Sequence, residues 1–133
     1  MASPALVEKP KRVLLVDPDE AFGNVLQEVL DEAGYSIRQV GTSQRAIAEL
    51  SNSENDAILL NLDSGTENEQ SYQYLLRAAN ELQSVPPIIS FGWSKHSKSA
   101  LELFRSGAVD FIEQPLDIQE LRFAINRACR RTK

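Results

Sequence analysis

Cysteine is nearly missing from this chain. Cys129 stands alone, so no internal disulfide can staple the fold and stability has to come from packing. On the last predicted helix it is read as a small core residue. Histidine is as scarce: His96 is the single one, in a stretch rich in Ser and Lys with no cysteine beside it, which removes the common zinc constellations. No apolar run approaches the roughly 20 residues that a membrane-crossing helix needs. Positive charge is in deficit, 14 Lys and Arg against 19 Asp and Glu, for a net charge of −5. Direct nucleic-acid binding by this domain is therefore not expected, because contacts to phosphate need clustered cations. The basic residues that do cluster, Arg127, Arg130, Arg131 and Lys133, fall at the C-terminus and read as a complement to the dipole of the last helix or as the start of a linker.

At 133 residues with 42% hydrophobic side chains, the chain suits one globular domain with a single core. Residues 1–11 show neither a signal-peptide pattern nor helical periodicity and are expected to form a flexible N-terminal arm. The domain proper is then 12–130, with 131–133 as a tail or the start of a linker. With no targeting or membrane segment in view, cytoplasmic is the expected location.

Strand and helix patterns alternate five times. Val13-Leu14-Leu15-Val16 is a continuous apolar run, as a strand covered on both faces requires. Phe22, Val25, Leu26, Val29 and Leu30 then recur at helical spacing, and Gly34 supplies a stop. Tyr35 to Val40 alternates as a second strand, and Ser43 is expected to cap a short helix carrying Ala46, Ile47 and Leu50. Ala57 to Leu60 is the third strand, Asp63 to Gln70 a polar loop, and Tyr72, Leu75, Leu76 and Ala79 the stripe of a third helix. After Pro86-Pro87 come a fourth strand over Ile88 to Phe91 and a fourth helix with Ala100, Leu101 and Phe104, stopped at Gly107. Val109 to Ile112 is the fifth strand. Asp117 with Glu120 forms a capping-box pattern before Leu121, Ala124, Ile125 and Ala128.

Five such units imply an α/β fold: a flavodoxin-like, doubly wound parallel sheet with strand order 2-1-3-4-5. In these sheets function collects at the carboxyl ends of the strands, where the order reverses. That edge gathers Asp17, Pro18, Asn61, Gly92 and Gln114.

Three segments carry a family likeness: Val13-Leu14-Leu15-Val16-Asp17-Pro18-Asp19, Asp56-Ala57-Ile58-Leu59-Leu60-Asn61-Leu62, and Ser106-Gly107-Ala108-Val109-Asp110-Phe111-Ile112-Glu113-Gln114-Pro115-Leu116. In order and spacing they resemble the receiver domain of two-component response regulators, and the third is similar to receivers of the NtrC and FixJ classes. The resemblance implies a phosphoacceptor aspartate at Asn61, an acidic pair for Mg²⁺ at Asp17 and Pro18, a hydroxyl at Gly92 and a lysine at Gln114. It also implies a switch aromatic at Phe111 and a proline at Pro115 that follows a cis bond. Only Asp17, Phe111 and Pro115 keep the family's residue type.

An amide cannot serve as the carboxylate nucleophile of an acyl phosphate. The resemblance therefore implies a degenerate, non-enzymatic receiver that regulates, as in transcription control, through protein contacts without aspartyl phosphorylation. No cofactor is expected, since Asp17, Asp19 and Asp63 are the only carboxylates left for weak Mg²⁺ binding. An Asn61–Gln114 hydrogen-bond bridge is compatible with the paired loss of acid and lysine. The expected partner, or second copy, docks on helix 4, strand 5 and helix 5, with Arg105 and Arg122 among its charges, and an output domain in a longer parent protein is compatible with this reading. Trp93 is read either as a partner anchor or as a lid over the crevice. A second reading keeps the phosphorelay, with Asp63 or Asp17 as a non-standard acceptor. A third, a flavodoxin-type cofactor binder, ranks last because the loop after strand 1 lacks a phosphate-cradling run of Ser, Thr and Gly.

Overall fold

The structure, a computed structural model, describes residues 11–65 and 67–130. The arm at 1–10 and the tail at 131–133 lie outside the described residues. Strands β1 (Lys11–Val16), β2 (Tyr35–Val40), β3 (Ala57–Asn61), β4 (Ile88–Gly92) and β5 (Asp110–Glu113) alternate with helices α1 (Glu20–Asp31), α2 (Ser43–Leu50), α3 (Glu69–Asn80), α4 (Lys98–Arg105) and α5 (Ile118–Arg130). All strand pairs are parallel, in the order β2-β1-β3-β4-β5. β1 begins at Lys11, whose amide donates to the Gly34 carbonyl at 3.0 Å, one residue before the expected start of the domain.

The apolar runs are continuous because the sheet is covered on both faces. Val13, Leu15, Leu59, Ile89, Phe91 and Ile112 point to α1 and α5 and pack with Leu26, Leu30, Leu121, Ala124, Ile125 and Ala128. Leu14, Val16, Ile58 and Leu60 point the other way, to Ala46 and Leu50 of α2, Leu75 and Leu76 of α3, and Ala100 and Leu103 of α4. Cys129 is buried in the first of these layers, where burial pushes its thiol pKa up.

Side-chain oxygens close the helix starts: Asp19, Thr42, Asn68 and Ser97 each accept the amide three residues on. The first turn of α5 is held by Asp117, which accepts from the amides of Gln119 and Glu120. Thr42, not Ser43, is therefore the cap of α2. Ser43 is buried, and its amide and hydroxyl both donate to the Glu67 carboxylate. The polar stretch after β3 is also shorter than expected, since Asn68 already opens α3.

Three apolar side chains expected in the core face out: Val25 is 53%, Leu101 45% and Phe104 63% exposed. In α4 the core takes Ala100, as expected, and Leu103 in place of Leu101 and Phe104. Each of the two outward residues of α4 follows an inward one and is carried about 100° around the helix, which turns it from the core. β5 runs one residue later than expected, over Asp110–Glu113. Gly34 and Gly107, at φ +89 and +120, make the left-handed turns that stop α1 and α4.

Leu103→Ala should thus cost about 2–5 kcal/mol of unfolding free energy. Phe104→Ala should stay within about 0.5 kcal/mol of the parent. Urea denaturation of the two variants distinguishes this orientation of α4 from its reverse.

Candidate functional site

At the carboxyl edge the strands bring Asp17, Asn61, Gly92 and Gln114 side by side. The Asp17 amide donates to the Val40 carbonyl (2.9 Å), Leu62 to Phe91 (2.9 Å) and Gln114 to Gly92 (2.7 Å), so the sheet's own ladder fixes the floor of the crevice. Asp17 is 4% exposed, and a carboxylate at that depth needs donors. Its Oδ1 accepts the Asp19 amide at 2.9 Å and its Oδ2 accepts Asn61 Nδ2 at 2.9 Å. Asn61 Oδ1 in turn accepts the Asp63 amide at 2.7 Å. The side-chain bonds of Asn61 thus run to Asp17 and into its own loop, and the bridge to Gln114 is not formed.

Asp63 turns the other way. Its Oδ2 accepts the Trp93 amide at 2.5 Å and covers Gly92. A Cβ built on Gly92 would collide with that oxygen and lie 3.3 Å from Asp63 Cγ. Asp19 is exposed and caps α1, while Pro18 is exposed beside Gly41. The three carboxylates expected as metal ligands therefore have separate partners: two amides for Asp17, the first turn of α1 for Asp19 and the Trp93 amide for Asp63. The Gln114–Pro115 bond is cis. Phe111 is half-buried against the α2–α4 side of the core. The Trp93 side chain is 64% exposed, so it does not act as a lid. His96 is exposed as well.

Three site residues escaped the sequence reading. Gln39, paired with Leu15 across the sheet, donates from Nε2 to the carbonyls of Asp17 (2.7 Å) and Asp19 (2.8 Å) and so clamps the β1–α1 turn. Its side chain lies over Gly23, where any Cβ would collide with the Gln39 amide group. Gln39 had a signal, a polar residue one step before the end of a strand next to β1. Gly23, inside a helix where glycine is unfavourable, had one too. Glu67, which holds Ser43, had none, because its partner lies 24 residues away.

Tyr72 backs this loop from α3, its hydroxyl donating to the Leu62 carbonyl at 3.3 Å. Burial first, then the negative charges of Glu67 and Asp63, push its pKa up to about 12 against a lowering hydrogen bond with Ser64. A phenol whose folded pKa is raised contributes stability that is complete below its unfolded value and is lost as pH rises through the folded one. Stability should therefore fall between about pH 10 and pH 12. In Tyr72→Phe that part of the decline should be absent, which urea denaturation across this range measures.

The family model for the response regulator receiver domain matches residues 13–126. The chain is 26% identical over 116 residues to the DNA-binding transcriptional regulator NtrC of a Bradyrhizobium species, covering 87% of this chain and 24% of that protein. It is 27% identical over 127 residues to the transcriptional regulatory protein RprY of Bacteroides fragilis, covering 96% of this chain and 52% of that one. The chain thus spans about a quarter to a half of these relatives. The crystal structure of a CheY-like receiver domain protein from Methanospirillum hungatei superposes with a TM-score of 0.80 at 19% identity, over 92% of this chain and 96% of that one, a likeness of fold. With the strand order, the crevice and a family match over nearly the whole domain in agreement, the chain belongs to the response regulator receiver domains of two-component signalling.

Proposed function

We propose that this receiver works without aspartyl phosphorylation and controls an output through protein contacts. One observation carries the reading: Asn61, at the position the resemblance gives to the phosphoacceptor, is an amide bonded to Asp17 on one side and to the Asp63 amide on the other. Phosphoryl transfer relies on positioning and charge stabilisation. Here the resemblance finds an amide for the nucleophile, proline for a metal ligand, glycine for the hydroxyl and glutamine for the lysine.

Magnesium fits this donor set poorly. It demands near-octahedral oxygen ligation anchored by carboxylates, whereas both Asp17 oxygens already accept hydrogen bonds and Asp63 faces the Trp93 amide. The losses are also consistent with one another. A carboxylate at position 61 would stand against buried Asp17 with no lysine to offset the repulsion, and the amide supplies a donor in its place.

The surface of α4, β5 and α5 is the face that would carry the output contact. It offers Leu101 and Phe104 exposed on α4, with Arg105 at the helix end. Arg127 of α5 pairs with Asp110 of β5 at 2.5 Å. Arg122, also on α5, lines a notch with Ala33 and Tyr35, so Arg105 is the better probe of this face. The relatives' names, a DNA-binding transcriptional regulator and a transcriptional regulatory protein, support transcription control through an output domain in a longer protein. Among the described residues no helix is long and apolar enough to cross a membrane.

Incubation with acetyl phosphate or beryllofluoride and Mg²⁺ should leave the intact mass and the amide NMR spectrum unchanged. Gain of one phosphoryl group would overturn the reading, and peptide mapping to Asp63 or Asp17 would install the phosphorelay alternative. Asn61→Asp alone should remain unlabelled, because Pro18 and Gln114 still leave metal and charge incomplete. Arg105→Glu should weaken association with the output partner without lowering the unfolding midpoint, as pull-down and denaturation together report.

A further inference from the structure

Gly92 has no conformational reason to be glycine. It ends β4 and is not among the glycines at positive φ, which are Gly34, Gly65 and Gly107. What it provides is space, and the space is taken by Asp63. The loop from β3 to α3 is pinned at two points by its own carboxylates, Asp63 on the Trp93 amide and Glu67 on Ser43 at the start of α2. Of the two, the Asp63 contact reaches the β4–α4 connection and hence the helix bearing Leu101 and Phe104.

We infer that Asp63 is a built-in anionic latch: its carboxylate on the Trp93 amide ties the β3–α3 loop to the β4–α4 connection, and Gly92 exists to admit it. The contact supplies an anion from the chain itself, at a crevice whose acceptor residue is an amide. Hydrogen bonds to charged groups are the stronger ones, and this bond joins two loops that lead into different helices, α3 and α4. Its use as a control device rests on the reading of a non-phosphorylating receiver; the contact itself does not.

The test is a double-mutant cycle on the whole chain with Asp63→Ala, Gly92→Ala and the pair, read by hydrogen exchange of the Trp93 amide in NMR. Asp63→Ala should speed that exchange by about tenfold, the loss of one charge-assisted bond. Gly92→Ala should do the same with Asp63 present, since its Cβ expels the carboxylate, and should add nothing once Asp63 is alanine. Trp93 protection unchanged in Asp63→Ala would overturn the latch. So would a Gly92→Ala effect of equal size in both backgrounds. Should Gly92→Ala fail to fold alone yet fold beside Asp63→Ala, the coupling holds; should it fold in neither, the exchange in Asp63→Ala decides. No readout involves phosphoryl transfer, so the latch and the labelling experiments fail separately.

Discussion

A carboxylate that is only 4% exposed has to be solvated by the protein itself, and the carboxyl edge of this sheet is arranged around doing so for Asp17. Its two oxygens take the Asp19 amide and the Asn61 side chain. The turn that carries the first donor is clamped by Gln39, whose side-chain amide donates to the carbonyls of Asp17 and Asp19 and lies where a Cβ on Gly23 would collide with it. The second donor is available only because position 61 is an amide. An aspartate there would turn a hydrogen bond into a repulsion between two carboxylates at low dielectric. One buried charge thus constrains a residue on β2, one on α1 and one on β3.

The fold could be read from the chain because parallel strands covered on both faces leave uninterrupted apolar runs. Val13 to Val16, Ala57 to Leu60 and Ile88 to Phe91 are such runs, and the helices between them restrict the topology. Strand-end positions follow from those runs, so Asp17, Asn61, Gly92 and Gln114 were legible as neighbours. How they bond was not. Asn61 ends β3, next to β1 and two strands from β5, and its amide donates to the buried Asp17 beside it rather than to Gln114. The exposure of Leu101 and Phe104 was equally out of sight. Ala100, Leu101, Leu103 and Phe104 spread apolar character over an arc wider than an eight-residue helix can bury, and periodicity alone does not say which half meets the sheet.

Ser43 shows how a correct local signal can be assigned to the wrong residue. Thr42 and Ser43 are both cap formers, and the pattern after them is the same for either. Burial separates them: Ser43 is 1% exposed, and its hydroxyl is committed to Glu67, which leaves Thr42 to accept the Arg45 amide. The partner that decides the matter comes from a loop on the far side of β3, beyond any window of sequence periodicity.

A two-state element shifts only for a ligand that binds its states differently. In this crevice the groups that would recognise such a ligand are bonded to one another: Asp17 to Asn61, Asn61 to the Asp63 amide, and Asp63 to Trp93. A small anion would compete with a carboxylate already in place, and a cation would have to strip two donors from Asp17. On the proposed reading the bias therefore has to arrive from outside the crevice. One such route is the β4–α4 connection, where the Trp93 amide is held by Asp63 while the residue is 64% exposed, just before a helix presenting Phe104 at 63%. A protein surface covering those two aromatic side chains would act on the same segment that Asp63 fixes, and so could reach the crevice without entering it.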